Sequence, residues 1–131
     1  MSKKKKLHYL GSPYNHQDPK IKRKRLAVVN WVSLEMLSKG ELVFSPLSHN
    51  LTVDFKRKFN SWEAWQTLDL EFLSRCDVLL VLKQKGWEDS IGLKDEIKFA
   101  KKHGIEIKEV EAPNEEKTKE ILEDFHLLTV P

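Results

Sequence analysis

Val78-Leu79-Leu80-Val81-Leu82 is the stretch that most restricts what this chain can become, because five apolar residues follow one another without a polar interruption. A strand with one wet face alternates, whereas an unbroken run belongs to a strand covered on both faces, as at the centre of a parallel sheet. In open α/β sheets the carboxyl end of such a strand opens on the crevice where ligands bind. The residues just after the run suit that place. Gly86-Trp87-Glu88-Asp89 is a loop, and Ser90-Ile91-Gly92-Leu93-Lys94-Asp95-Glu96 opens a helix. Ser90 is a natural N-cap, so this helix aims free backbone N–H groups and its positive dipole end into the crevice, where an anion is favoured. Glu96 lies one turn beyond Gly92, so no side chain stacks over its carboxylate on the crevice side.

Strand and helix patterns alternate along the rest of the chain. Leu7-His8-Tyr9-Leu10 reads as a first strand ending at Gly11-Ser12-Pro13. Asp18-Pro19 then supplies a cap and first-turn proline for a long helix that stops at Gly40. Ile21, Arg25, Val28 or Val29, Val32 and Met36 share helical spacing, which predicts a sheet-facing stripe with Lys20, Lys22, Arg23 and Lys24 largely solvated. Leu42-Val43-Phe44 is a second strand closed by Ser45-Pro46. Residues 47–60 show no period and read as a long connection, a length usually reserved for lids and binding loops. A helix over 62–76 precedes the central strand. Ile105-Glu106-Ile107-Lys108-Glu109-Val110 alternates like a half-covered edge strand, and 115–125 is a last amphipathic helix. The order βαβαβαβα predicts a three-layer αβα fold with a doubly wound parallel sheet of four to five strands.

Length and charge add bounds. The 131 residues fit one domain, expected over 7–131 behind a basic, disordered tail at 1–6. The net charge of +3 is accounted for by Lys3 to Lys6 alone, so the body is nearly neutral and offers no basic face to nucleic acid. Cys76 is the single cysteine, which suits a buried thiol in a reducing cytoplasm. No apolar run approaches the ~20 residues of a membrane span, and no signal-peptide core follows the lysines.

A second chemical clue is an acid in an apolar stripe. Trp62, Trp65, Asp69, Phe72 and Cys76 recur at three- and four-residue steps and share one helix face. A carboxylate there must be paired, hydrogen-bonded or open to a cavity, because burying it unpaired costs several kcal/mol. It either ties strand to helix through a backbone amide or Ser12, or it works in the crevice. Two acids converging on one crevice suit glycosidic-bond chemistry, in which one carboxylate attacks the anomeric carbon and the other orients it or handles the leaving group's proton. Glu96 is then the nucleophile and Asp69 its partner. Ser90 precedes Glu96 by six residues, about 9 Å along the axis at ~1.5 Å per residue, a gap that a ribose with its 5′ group spans.

Tyr9-Leu10-Gly11-Ser12-Pro13, Asp69-Leu70 with Leu73 and Asp77, and Ser90-x-Gly92-x-x-x-Glu96 resemble, in order and spacing, the nucleoside 2-deoxyribosyltransferase superfamily with its 2′-deoxynucleoside 5′-phosphate N-hydrolases. Further marks resemble a small bacterial and phage branch: Ser12-Pro13-Tyr14-Asn15-His16, Phe44-Ser45-Pro46-x-Ser48-His49, Trp62-x-x-Trp65 and Gly86-Trp87-Glu88. The resemblance runs over 7–113. It implies a flavodoxin-like, Rossmann-like sheet, a homodimer, Glu96 as nucleophile assisted by Asp69, Ser90 on a 5′-phosphate, and Gly11 and Ser12 lining the pocket. The hydrolases carry further glycines and an arginine after the first strand, where this chain has Pro13, Tyr14, Asn15 and His16. Arg25 is the candidate for the missing charge. The transferases also use C-terminal residues of a neighbouring subunit, which Thr129-Val130-Pro131 do not match.

Tyr9, Tyr14, His16, His49, Trp87 and Gly92 complete the expected substrate-binding set, with Trp87 placed where a base can reach it and Trp65 assigned to the core. Two histidines without a third ligand do not make a zinc site, so neither metal nor cofactor is expected. The sequence thus predicts cleavage or transfer of the N-glycosidic bond of a deoxynucleoside or its 5′-monophosphate, with hydrolysis favoured because so short a chain has few elements to exclude water. The alternative is a nucleotide-binding or sensor module of the same fold without turnover.

Overall fold

The computed structural model describes residues 4–125. Its elements are β1 (Leu7–Gly11), α1 (Pro19–Ser38), β2 (Leu42–Phe44), α2 (Pro46–Val53), α3 (Trp62–Leu73), β3 (Val78–Lys83), α4 (Ile91–Lys102), β4 (Glu106–Glu111) and α5 (Glu115–Asp124), with a 3₁₀ turn at Trp87–Asp89 before α4. Among the described residues four strands form one parallel sheet in the order β2-β1-β3-β4, with Tyr9 opposite Phe44 and Leu79, and Leu79 opposite Ile107. This is a flavodoxin-like α/β arrangement, and it puts the apolar run at the centre beside β1.

The pleat explains why that run does not alternate. Val78, Leu80 and Leu82 join Leu10, Val28, Val29 and Val32 in the core under α1, while Leu79 and Val81 join Tyr9, Leu73, Leu93 and Ala100 under α3 and α4. Both faces are dry. β4, with one neighbour, keeps only Ile107 and Val110 half-buried among charged residues. The expected alternation is not kept, since Ile107 packs on the core under α3 and α4 and Val110 on the one under α1; having β3 as its single neighbour makes β4 an edge strand. Each long helix starts where its cap directs: Asp18 accepts from the Lys20 amide at 2.9 Å, Ser61 from Ala64 at 3.4 Å, Ser90 from Leu93 at 3.2 Å and Asn114 from Lys117 at 2.8 Å.

Two expectations change. Residues 47–60 are not one irregular connection, since Pro46–Val53 is helical, with Ser45 accepting from the Ser48 amide at 3.1 Å. Ser45-Pro46 closes β2 and opens α2 at once, and two turns are too short to display a period. The helix before β3 ends at Leu73, so Cys76 is buried in the following turn rather than on the helix. Phe72, still on α3, is 41% exposed and stacks on Phe44 of the edge strand at 4.1 Å. Among the described residues no helix is long and apolar enough to cross a membrane. The lysine run begins and the chain ends outside the described residues, Thr129-Val130-Pro131 included.

Candidate active site

A cavity of about 510 Å³ opens at the carboxyl ends of β1 and β3 and receives Ser12 and Tyr14 from the loop after β1, Asn50 from α2, Asp69 from α3, and Ser90, Gly92 and Glu96 from the start of α4. A larger groove of about 780 Å³ runs beside α1 past Lys6, Gly40 and Leu42 to β4. It gathers no buried acid. The smaller cavity is therefore the candidate site, because buried titratable groups line it.

Glu96 reaches the cavity from the second turn of α4 and is 5% exposed. Tyr9, fully buried on β1, donates its hydroxyl to Glu96 Oε2. Burial pushes the Glu96 carboxyl up to about 8; the Tyr9 hydrogen bond pulls it back, and the charges of Asp69 and Asp95 push it further up. Burial and the same Glu96 and Asp69 carboxylates hold the Tyr9 phenol well above 10, so it remains a donor. Asp69 is 6% exposed and accepts from Asn50 Nδ2 at 3.0 and 3.2 Å to its two oxygens. Its carboxyl is raised by burial and moderated by Asn50 and by His49. His49 stands behind, off the cavity wall, with Nδ1 2.9 Å from Asn50 Oδ1. The two acids thus line one cavity, each held by its own donor, Tyr9 on Glu96 and Asn50 on Asp69.

Close approach explains Gly11. A Cβ there would lie 2.8 Å from Leu93 Cδ1 and 3.3 Å from Glu96 Oε1, so any larger residue must displace the buried Leu93 side chain and crowd the acid. Gly92 has a different use from the open approach expected of it. A Cβ at Gly92 would come within 3.1 Å of Trp62, whose indole rests on this turn and donates Nε1 to Asp95 at 2.7 Å. The space over Gly92 is filled by an aromatic wall.

The remaining expected residues divide. Ser12, Tyr14 and Ser90 line the cavity with Tyr9's partner Glu96, Ser90 serving also as the α4 cap. Arg25 does not supply charge to it. Its buried guanidinium donates to the Tyr14, Asn15 and Lys85 carbonyls at 3.3, 2.8 and 2.8 Å and so braces the loops after β1 and β3, with Gln84 Nε2 joining them through Ser12 Oγ and the Arg25 carbonyl. His16 is exposed and accepts from the Asp18 amide ahead of α1. Trp87 packs on the α3/α4 core rather than lining the cavity. Trp65, expected in the core, stands half-buried on the cavity wall, edge-on to Phe59, with Nε1 donating to the Phe59 carbonyl. Asp69 is tied by Asn50, not by Ser12 or a backbone amide.

Sequence reasoning missed Asn50, Arg57 and Lys22, all on the cavity wall. Ser45-Pro46 is the signal that finds Asn50, for a helix starting at Pro46 puts Asn50 one turn on and on the same buried face. Among the described residues no cluster of three or more His, Cys, Asp or Glu is placed to hold a metal. No curated protein matches the chain. Residues 6–112, which span β1 to β4 and every cavity residue named above, match the model of a domain of unknown function, DUF1937. The chain belongs to the DUF1937 family.

Proposed function

We propose that this crevice cleaves, or transfers, the N-glycosidic bond of a deoxynucleoside or its 5′-monophosphate, with Glu96 as nucleophile. The observation that carries the reading is the pairing of two buried acids on one cavity, Glu96 under the Tyr9 hydroxyl and Asp69 under Asn50. The chemistry needs one proton on Asp69 and none on Glu96, a form that the Tyr9 hydrogen bond to Glu96 favours and that the burial of Glu96 opposes. The Glu96 carboxylate attacks C1′ as the bond to the base breaks, the electron pair leaves with the base nitrogen, and the proton on Asp69 passes to the base. Water then opens the glycosyl ester, giving its proton to Asp69 and its oxygen to C1′, and Glu96 is regenerated. Tyr9 favours the ionised form of Glu96 that the first step requires. The resemblance to nucleoside 2-deoxyribosyltransferases supports the same assignment and adds a homodimer, for which Leu68 and Phe72, exposed on α3, offer apolar surface.

The second reading, a nucleotide-binding module without turnover, draws on one observation: a carboxyl pushed up to about 8 is mostly protonated at neutral pH and then does not attack. Incubation with a panel of nucleosides and 5′-monophosphates, followed by chromatography of free base, decides between them. The expected result is base release by the wild type and a loss of several orders of magnitude in kcat for Glu96→Gln, with ligand binding retained. Asp69→Asn should be nearly as inactive. An active substrate on which Glu96→Gln keeps near wild-type kcat refutes the mechanism, and binding without release across the panel favours the module.

A further inference from the structure

We infer that Lys22 and Arg57 form an anion-binding subsite on the α1 side of the crevice, and that a phosphate group of the ligand docks there rather than at the amino end of α4.

The cavity crosses the carboxyl edge of the sheet, and apart from Asp54, whose carboxylate is taken up by the Lys58 and Phe59 amides, its charges are sorted across it. Asp69, Asp89, Glu63 and Glu96 come from α3, α4 and the turn before α4. Lys22 comes from the first turns of α1, and Arg57 from the segment between α2 and α3. Neither cation forms an ion pair among the described residues. Both meet at Tyr14. The Lys22 ammonium lies 5.9 Å from the ring centroid, and the Arg57 charge draws down a phenol that burial raises.

Arg57 is held in place at a cost. Its φ of 54° is the one positive value among non-glycine residues described, a conformation that costs an ordinary side chain about 1 kcal/mol or more. The turn that imposes it is well tied: the Arg57 amide donates to the Asp54 carbonyl at 3.0 Å, and Nη1 donates to the Leu51 and Asp54 carbonyls at 2.8 and 3.0 Å. Asp54, also on the cavity wall, turns its carboxylate to the Lys58 and Phe59 amides at 2.8 and 2.9 Å. Nη2 and Nε of Arg57 make no hydrogen bond among the described residues, and a planar fork on the same cavity wall as an ammonium suits a phosphate dianion.

The amino end of α4 is the less favourable place. Glu88 and Asp89 immediately precede Ser90, Asp89 and Glu63 share the cavity with it, and Ser90 Oγ already accepts from the Leu93 amide. Like charges there oppose a second anion. Identification of the ligand as a sugar or nucleoside phosphate rests on the glycosidic reading; the anion subsite itself does not.

Amide-resolved NMR titration of the full-length protein with 2-deoxyribose 5-phosphate, inorganic phosphate and 2-deoxyribose tests the subsite without any turnover. The two phosphates should shift the amides around Tyr14, Lys22 and Arg57 saturably, and the free sugar should not. Lys22→Gln removes no hydrogen bond among the described residues, so it should leave the spectrum native while raising the Kd for 2-deoxyribose 5-phosphate about 10-fold. Arg57→Lys, which keeps the charge and loses the fork, should weaken it less than Arg57→Gln, and Ser90→Ala should change it by less than about 2-fold. Shifts centred on residues 90–92 with Lys22→Gln neutral, or no saturation by about 20 mM of either phosphate, overturn the subsite. Phosphate binding with no base release from any substrate leaves the subsite and removes the reaction, whereas base release with no phosphate binding does the reverse.

Discussion

Glu96→Gln should make this protein more stable at alkaline pH while leaving its stability at acid pH nearly unchanged. The Glu96 carboxyl is pushed from an ordinary 4.5 up to about 8, chiefly by burial. Below about pH 4.5 both the folded and the unfolded chain hold the proton, and the group does not couple folding to pH. Between 4.5 and 8 the unfolded chain ionises while the folded one stays neutral. The unfolded state then binds fewer protons, so stability falls by about 1.4 kcal/mol per pH unit. Above 8 both forms are ionised and the loss levels off at about 5 kcal/mol. Glutamine fills the same volume, accepts from the Tyr9 hydroxyl and does not titrate. Asp69 titrates in both proteins, so the difference between them reports mainly on Glu96. Urea unfolding at about pH 5, 6, 7, 8 and 9 should show the two midpoints diverging by about 2 M if m is near ~2 kcal/mol/M. Parallel midpoints across that range would show that Glu96 ionises in the folded protein as it does in water, and the burial argument would fail.

Gly11→Ala should destabilise the protein by about 1–3 kcal/mol in thermal or urea unfolding and depress any activity, since the new methyl meets Leu93 Cδ1 at 2.8 Å and crowds the Glu96 carboxylate. A neutral Gly11→Ala would mean that β1 and α4 are farther apart than described. Light scattering should give twice the 15.4 kDa chain mass in the micromolar range, with Phe72→Glu shifting it towards one; a monomer at all concentrations refutes the pairing.

What the sequence made legible was whatever local chemistry determines. The run 78–82 pointed to the central strand because burial on both faces leaves no polar position to interrupt it, and Ser90 marked the start of α4 because a cap is a one-residue signal. Glu96 and Asp69 were visible as an acid one turn into the helix after the central strand and as an acid in an apolar stripe. The cavity's other wall was not. Lys22 sits in Lys20-Ile21-Lys22-Arg23-Lys24-Arg25, where charge on nearly every residue hides which one turns to the crevice, and the structure settles that through Tyr14, eight positions away. Arg25, from the same run, is buried on three carbonyls because two loops distant in sequence close over it. Arg57 depends on a left-handed turn that no glycine or asparagine announces. Gly92 was legible as a small residue, but its neighbour Trp62 is thirty positions away, and only the packing of α3 on α4 brings it there.

The brace formed by Arg25 and Gln84 divides the crevice into a part that is set and a part that is interchangeable. Loops after β1 and β3 are locked from beneath by donors that never reach the cavity, so a ligand arriving on this floor finds it already ordered and does not lose affinity to freezing it. The opposite rim comes from a single contiguous stretch, Asp54, Arg57, Phe59, Asn60, Ser61, Trp62, Glu63 and Trp65. Changing the side chains of that stretch other than Asp54, Ser61 and Trp62, which hold its turn, cap α3 and pack on Gly92, would change what the crevice admits while the acids and their hydrogen-bond partners stay as they are. The scaffold therefore separates the residues that would select a ligand from the buried acids, and offers a practical starting point for changing the first without rebuilding the second.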